Sequence, residues 1–128
     1  MSNYLLKREL ISMSDAIPDN VLDLMAVKFR LLGDSTRLAI LRTLLKGGEK
    51  NVGQLVDETG RTQTNVSKHL KQMTRAGMLA RRKEGLQVFY QLADPVVEKI
   101  CQLVCDSIVD DVKREIRDRV PSPEKRRP

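Results

Sequence analysis

From Arg61 to Lys83 the chain reads RTQTNVSKHLKQMTRAGMLARRK, with seven Lys or Arg and no Asp or Glu. Val66, Leu70, Met73 and Ala76 recur at helical spacing, which predicts a helix burying one face. Beyond Gly77 the pattern changes. Met78 to Arg82 and Gln87 to Leu92 read as strands, with Lys83-Glu84-Gly85-Leu86 as the turn between them. Alternation is clearest in the second strand, where Val88 and Tyr90 oppose Phe89 and Gln91.

The opposite face of the basic helix is left with Gln63, Thr64, Ser67, Lys68, Lys71, Gln72 and Arg75. Short hydrogen-bonding side chains backed by cations suit a DNA groove, where cations meet phosphates and amides or hydroxyls meet base edges. The plainer alternative is a solvated surface helix, which usually mixes both signs of charge.

The 128 residues are one domain by length. With no Trp, two Tyr and two Phe, the core must be aliphatic, which favours helices packed through Leu, Val, Ile and Met. Scarce rings also argue against a single-stranded nucleic acid partner, which is usually gripped by stacking. A formal net charge of +6 favours a polyanionic partner. Two cysteines do not make a disulfide scaffold. Neither a signal-peptide-like start nor a membrane span is legible, so the expectation is a soluble, cytoplasmic protein with reduced thiols and no membrane partner.

Residues 1–17 form an N-terminal arm containing LLKRELI, a short amphipathic piece. Pro18-Asp19 suits a helix start, and Val21, Leu24, Met25, Lys28 and Leu32 continue the helix to a stop at Gly33. Asp34 or Ser35 caps a second helix, Thr36 to Lys46, with Leu38, Ile40, Leu41, Leu44 and Leu45 inward, and Gly47-Gly48 ends it. Val52 to Thr59 is a short helix with Leu55 and Val56 for the core. Gly60 then turns the chain, Thr62 caps, and the basic helix runs from Gln63 to Ala76. Two helices joined by a Gly-containing turn of about three or four residues make a helix-turn-helix unit. Asp94-Pro95 opens a last long helix through Val97, Ile100, Val104, Ile108, Val112 and Ile116 to about Arg119. Residues 18–119 are one unit, and the Pro-rich, charged tail at 120–128 reads as disordered.

Two segments, FRLLGDSTRLAILRTLL and VGQLVDETGRTQTNVSKHLKQMTRAGMLARRKEGLQVFYQL, resemble the ArsR/SmtB family of bacterial winged-helix repressors. Asp34-Ser35-Thr36-Arg37-Leu38 matches that family's Asp-Pro-Thr-Arg-Leu with Ser35 in place of Pro. Thr64-Asn65-Val66-Ser67-Lys68-His69-Leu70 stands where the family has Ser-x-x-Ser-x-His-Leu, and Arg82, Gly85, Phe89 or Tyr90, and Leu92 follow its wing pattern. The match covers roughly Val21 to Ile116. It implies a mainly α fold with a small β-hairpin wing, and a winged helix-turn-helix homodimer joined by the first and last helices on a near-palindromic double-stranded operator. On that reading Gln63, Thr64, Ser67, Lys68, Lys71 and Arg75 face the groove, while Arg81, Arg82 and Lys83 on the wing meet phosphate or the minor groove. The dimer has independent support. Val96, Val97, Ile100, Leu103, Val104, Ile108, Val109 and Val112 cover more of the last helix than one small domain can bury. Val97, Ile100, Val104, Ile108 and Val112 are the expected interface. Arg37 resembles a position near the backbone-binding face, with capping or ion pairing an equal alternative.

Members of that family release DNA when a metal, metalloid or oxidant reaches a cysteine or carboxylate/histidine site. One such site reads Cys-Val-Cys; here Asn51-Val52-Gly53 stands there without a thiolate. Another uses Asp-x-His and His-x-x-Glu; here Asp94-Pro95-Val96 and Ser107-Ile108-Val109-Asp110 lack both imidazoles, so no metal ligands are assigned. Cys101 and Cys105 remain, one helical turn apart. They are either an effector or redox pair, taking a soft metal, a metalloid or an oxidant, or small hydrophobes in an apolar interface. A bond between them within one intact helix would be strained, because i,i+4 Cβ atoms sit about 5–6 Å apart and a disulfide wants about 3.5–4.5 Å.

Three functions compete. The first is a sequence-specific transcriptional regulator, a repressor released by a thiol-reactive or metalloid signal. The second is a regulator or architectural DNA-binding protein with no small-molecule sensing. The third, an enzyme, lacks support: there is one His and neither a nucleophile–base pair nor a Gly-rich phosphate loop.

Overall fold

The computed structural model describes residues 16–119. The expected arm, apart from residues 16 and 17, and the tail at 120–128 lie outside the described residues. Five helices and three strands follow in order: α1 (Asp19–Leu32), α2 (Ser35–Gly47), β1 (Lys50–Asn51), α3 (Val52–Thr59), α4 (Gln63–Arg75), β2 (Leu79–Glu84), β3 (Gln87–Leu92) and α5 (Pro95–Arg119).

Local chemistry sets most helix starts. The Asp34 carboxylate accepts from the Arg37 amide at 3.0 Å and caps α2. Asn51 and Gln54 form a reciprocal capping box at α3. Thr62 accepts from the Asn65 amide and caps α4. Gly60, at φ +68°, ends α3 in the left-handed conformation that a glycine adopts without strain, and so makes the tight turn between α3 and α4.

The sheet is antiparallel, in the order β1-β3-β2. Its hairpin turn is shorter than the sequence predicts. Glu84 pairs with Gln87, so only Gly85 and Leu86 turn the chain. Gly85 has φ +60° and Leu86 has no positive φ, the arrangement in which glycine takes the first of two turn positions. The strand β1 was not expected, because two residues show no alternation.

The core gathers Ile40, Leu41 and Leu44 of α2, Leu55 of α3, Val66, Leu70 and Met73 of α4, Met78 and Leu79, and Val97 of α5. Four expectations change. Ala76 is exposed, because α4 ends at Arg75 and Ala76 is its cap. Leu38 and Leu45 are exposed, because the apolar stripe of α2 is wider than this core covers. Leu24 likewise points outward from α1. Val97 is 0% exposed within its own chain, so it belongs to the core and not to an interface.

Past Ile100 and Cys101, which pack on the core, α5 runs on with its apolar residues uncovered. Val104 is 53% and Ile108 56% exposed, and Leu103, Val109, Val112 and Ile116 are exposed as well. At 1.5 Å per residue the 25-residue helix is about 37 Å long, so it extends well past the small core.

Candidate nucleic-acid interface

The candidate surface is built by α4. Val66, Leu70 and Met73 bury one side completely, and that fixes the rotation of the helix. Gln63, Thr64, Asn65, Ser67, Lys68, Lys71, Gln72 and Arg75 are therefore exposed together. Among the described residues Lys68, Lys71, Arg75, Arg81 and Lys83 form no ion pair or side-chain hydrogen bond, so their charges stay available to a polyanion. Arg81 and Lys83 lie two apart on β2 and share one face of the wing.

Two cations of the basic run are already engaged. Arg61 donates from Nη1 to the Thr59 carbonyl at 3.2 Å and from Nε to Thr36 Oγ1 at 3.4 Å, tying the helix-turn-helix turn to the start of α2. Arg82, expected on phosphate, instead contacts Glu49 at 2.6 Å and Glu84 at 2.7 Å and lies 4.8 Å from the centre of the Phe89 ring. Paired with both carboxylates, it is a brace between the wing and the loop before β1, where the sequence predicts a phosphate contact. Its hydrogen bonds in turn hold the Glu49 carboxyl below the usual carboxylate range.

Arg37 takes the capping role. Its Nε donates to the Leu31 carbonyl at 2.7 Å and its Nη2 to the Arg30 carbonyl at 3.0 Å, which also accepts from the Gly33 amide at 3.2 Å, so one guanidinium ties down the end of α1. Its Nη1 lies 3.3 Å from both His69 Nδ1 and Gln72 Oε1 on α4. A guanidinium can only donate, so Nδ1 accepts. One side chain thus fixes the end of α1 against the recognition helix, and His69 is held inside the protein. No local pattern along the chain pointed to this span.

Asn51 and Asp94, weighed in the sequence as metal positions, are engaged in protein contacts. The Asn51 side chain is occupied in capping α3. Asp94 accepts from Lys28 Nζ at 2.8 Å and from the Val96 amide at 3.0 Å, which hold its carboxyl below the usual range, the lysine contributing most. Among the described residues no three His, Cys, Asp or Glu side chains cluster as metal ligands.

Cys101 and Cys105 line an apolar groove of about 480 Å³ between α5 and the α1–α2 junction, walled by Phe29, Leu38, Val104 and Ile108. Cys105 is exposed, whereas Cys101 is partly buried and burial pushes its thiol pKa up. No helix among the described residues is long and apolar enough to cross a membrane.

Comparison with known proteins gives a consistent result. The family described as "Bacterial regulatory protein, arsR family" matches residues 34–81. An uncharacterized HTH-type transcriptional regulator of Methanocaldococcus jannaschii is 40% identical over 76 residues, 59% of this chain and 85% of that protein. The arsenical resistance operon repressor of Escherichia coli is 37% identical over 65 residues, 51% of this chain and 56% of that protein. Among solved structures, a homodimeric winged helix-turn-helix DNA-binding domain from Mycobacterium bovis superposes with a TM-score of 0.68 at 25% identity, over 80% of this chain and 95% of that one.

Proposed function

The chain belongs to the ArsR family of bacterial regulatory proteins, and from that premise we propose that it is a homodimeric repressor reading a near-palindromic DNA site. The observation that carries this reading is the polar face of α4 beside the wing, where Lys68, Lys71, Arg75, Arg81 and Lys83 have no side-chain partner among the described residues. Gln63, Thr64 and Ser67 at the start of that helix are the side chains able to read base edges, and the cations supply affinity that does not depend on sequence. A coating protein without sequence preference needs only the second set. The exposed apolar residues of α5, with Phe29 and Leu38, supply the surface for a second copy, and the similar M. bovis domain is homodimeric. The test is selection from a randomised duplex library. A two-fold-related site should be enriched, with half-sites about one helical turn apart; uniform recovery of all sequences would favour the architectural alternative.

A specific observation favours an effector. The two thiols line the groove at the surface proposed for dimerisation, so a soft reagent there would change how the α5 helices meet and hence how far apart the α4 helices stand. Cys105 is the more accessible of the two thiols, and burial pushes the Cys101 pKa up. One chain offers too few ligands for a metalloid, so thiols from both copies would hold it. Operator binding by wild type and a Cys101→Ser/Cys105→Ser double variant, with and without arsenite or peroxide, decides the matter. Identical responses would make the cysteines packing residues.

A further inference from the structure

A cleft of about 390 Å³ lies between α4 and the sheet, lined by Ser67, Lys71, Thr74 and Arg75 from the helix and by Arg81 and Tyr90 from the strands. Three cations and three hydroxyl-bearing residues meet there, and no carboxylate lines it. Thr74 is the anomaly. The other threonine hydroxyls packed into helices bond back one turn, Thr43 to the Ala39 carbonyl at 3.1 Å and Thr59 to the Leu55 carbonyl at 2.6 Å. The Thr74 hydroxyl oxygen is shielded from solvent and has no hydrogen-bond partner among the described residues. A buried hydroxyl left unbonded destabilises the free protein, and such a group needs a reason.

We propose that this cleft seats a single phosphate group, with Lys71, Arg75 and Arg81 as its counter-charges and the Thr74 hydroxyl as a donor released from the wall. A helical threonine divides between two χ1 rotamers, and exchange between them carries the hydroxyl toward the cleft. The cations come from two elements, α4 and β2, so a phosphate held by all three fixes the spacing of the recognition helix and the wing. The proposal rests on the DNA-binding reading only for the source of the phosphate: a duplex backbone supplies it as a diester, and a free anion would supply the same chemistry.

The experiment pairs Thr74→Val, which is isosteric and lacks the hydroxyl, with Thr74→Ser, which keeps it. Binding is measured to duplexes of several sequences, and inorganic phosphate is titrated against chloride at matched ionic strength while amide shifts are followed in ¹⁵N-labelled full-length protein. Thr74→Val should bind every duplex about tenfold or more weakly, the scale of a lost hydrogen bond to a charged group. Its melting temperature should be unchanged or raised, since the free protein loses no bond. Phosphate should shift the Thr74, Arg75 and Arg81 amides in wild type and Thr74→Ser, and much less in Thr74→Val. Wild type that binds no duplex yet shows the phosphate shifts would keep the cleft and remove the DNA reading. Thr74→Val that binds duplex and phosphate as wild type does would overturn the cleft and leave the DNA reading intact.

Discussion

Arg82 and Glu49, 33 residues apart in the chain, are joined by three hydrogen bonds, Nη2 to Oε1 at 2.6 Å and a forked one from Nε to Oε2 at 3.1 Å and Oε1 at 3.2 Å. With Glu84 on its remaining nitrogen, Arg82 carries no free charge to the tip of the wing. Its neighbour on the strand, Arg81, lines the cleft against α4 and has no partner among the described residues.

Arg81→Ala and Arg82→Ala should therefore part company. Each phosphate contact contributes about 0.9 to the slope of log affinity against log salt. Arg81→Ala should flatten the slope by about that amount. Arg82→Ala should leave it nearly unchanged and instead raise amide exchange across β2 and β3. Equal slope changes in a salt titration would contradict the brace.

Gln63 and Thr64 stand at the start of α4, where a recognition helix meets base edges. Gln63→Ala should reorder the preferred sites, with about 1–3 kcal/mol lost at the base it reads. Lys68→Ala should weaken all sites alike. Competition against a panel of single-base operator variants separates the two patterns.

Val97 and Val104 of α5 should behave differently. Val104 is half exposed, so Val104→Asp should give a folded monomer by light scattering, as should Ile108→Asp. Val97 is buried in its own chain, so Val97→Asp should fail to fold cooperatively, because a carboxylate is placed in the core without a partner. A folded, dimeric Val104→Asp would refute the interface.

Arg37 bridges the end of α1 to α4 through its fork of nitrogens. Arg37→Ala should cost about 1–3 kcal/mol in urea unfolding, the scale of leaving partly buried acceptors unsatisfied. Arg37→Lys should recover little, because one ammonium cannot span those acceptors.

Asp94 governs part of the acid response. Lys28 holds its folded pKa below the unfolded value of about 3.9. Such a group contributes stability above the unfolded pKa, and that contribution is lost as pH falls through the folded one. Asp94→Asn should be less stable than wild type at pH 7 and closer to it at pH 3, by denaturant midpoint. Asp34 and Glu49 are depressed in the same direction, so the acid dependence should become shallower without vanishing.

Elements set by neighbours along the chain were legible in the sequence. Asp34, Thr62, Gly60 and Gly85 act within a few residues of themselves, and the 3.6-residue period of α4 alone decides which of its side chains face out. What the tertiary structure decided involves partners far apart in the chain. Whether a cation is free or neutralised depends on what folding brings beside it: Arg81 and Arg82 are adjacent in sequence, yet Glu49 approaches only the second. The same holds for Arg37 and His69, for Lys28 and Asp94, and for Val97, whose periodicity matched that of Val104 while only Val97 reached the core. Periodicity reports which face of a helix is apolar. How far along that face its own chain provides cover depends on the length and placement of the other helices, and those are properties of the folded molecule.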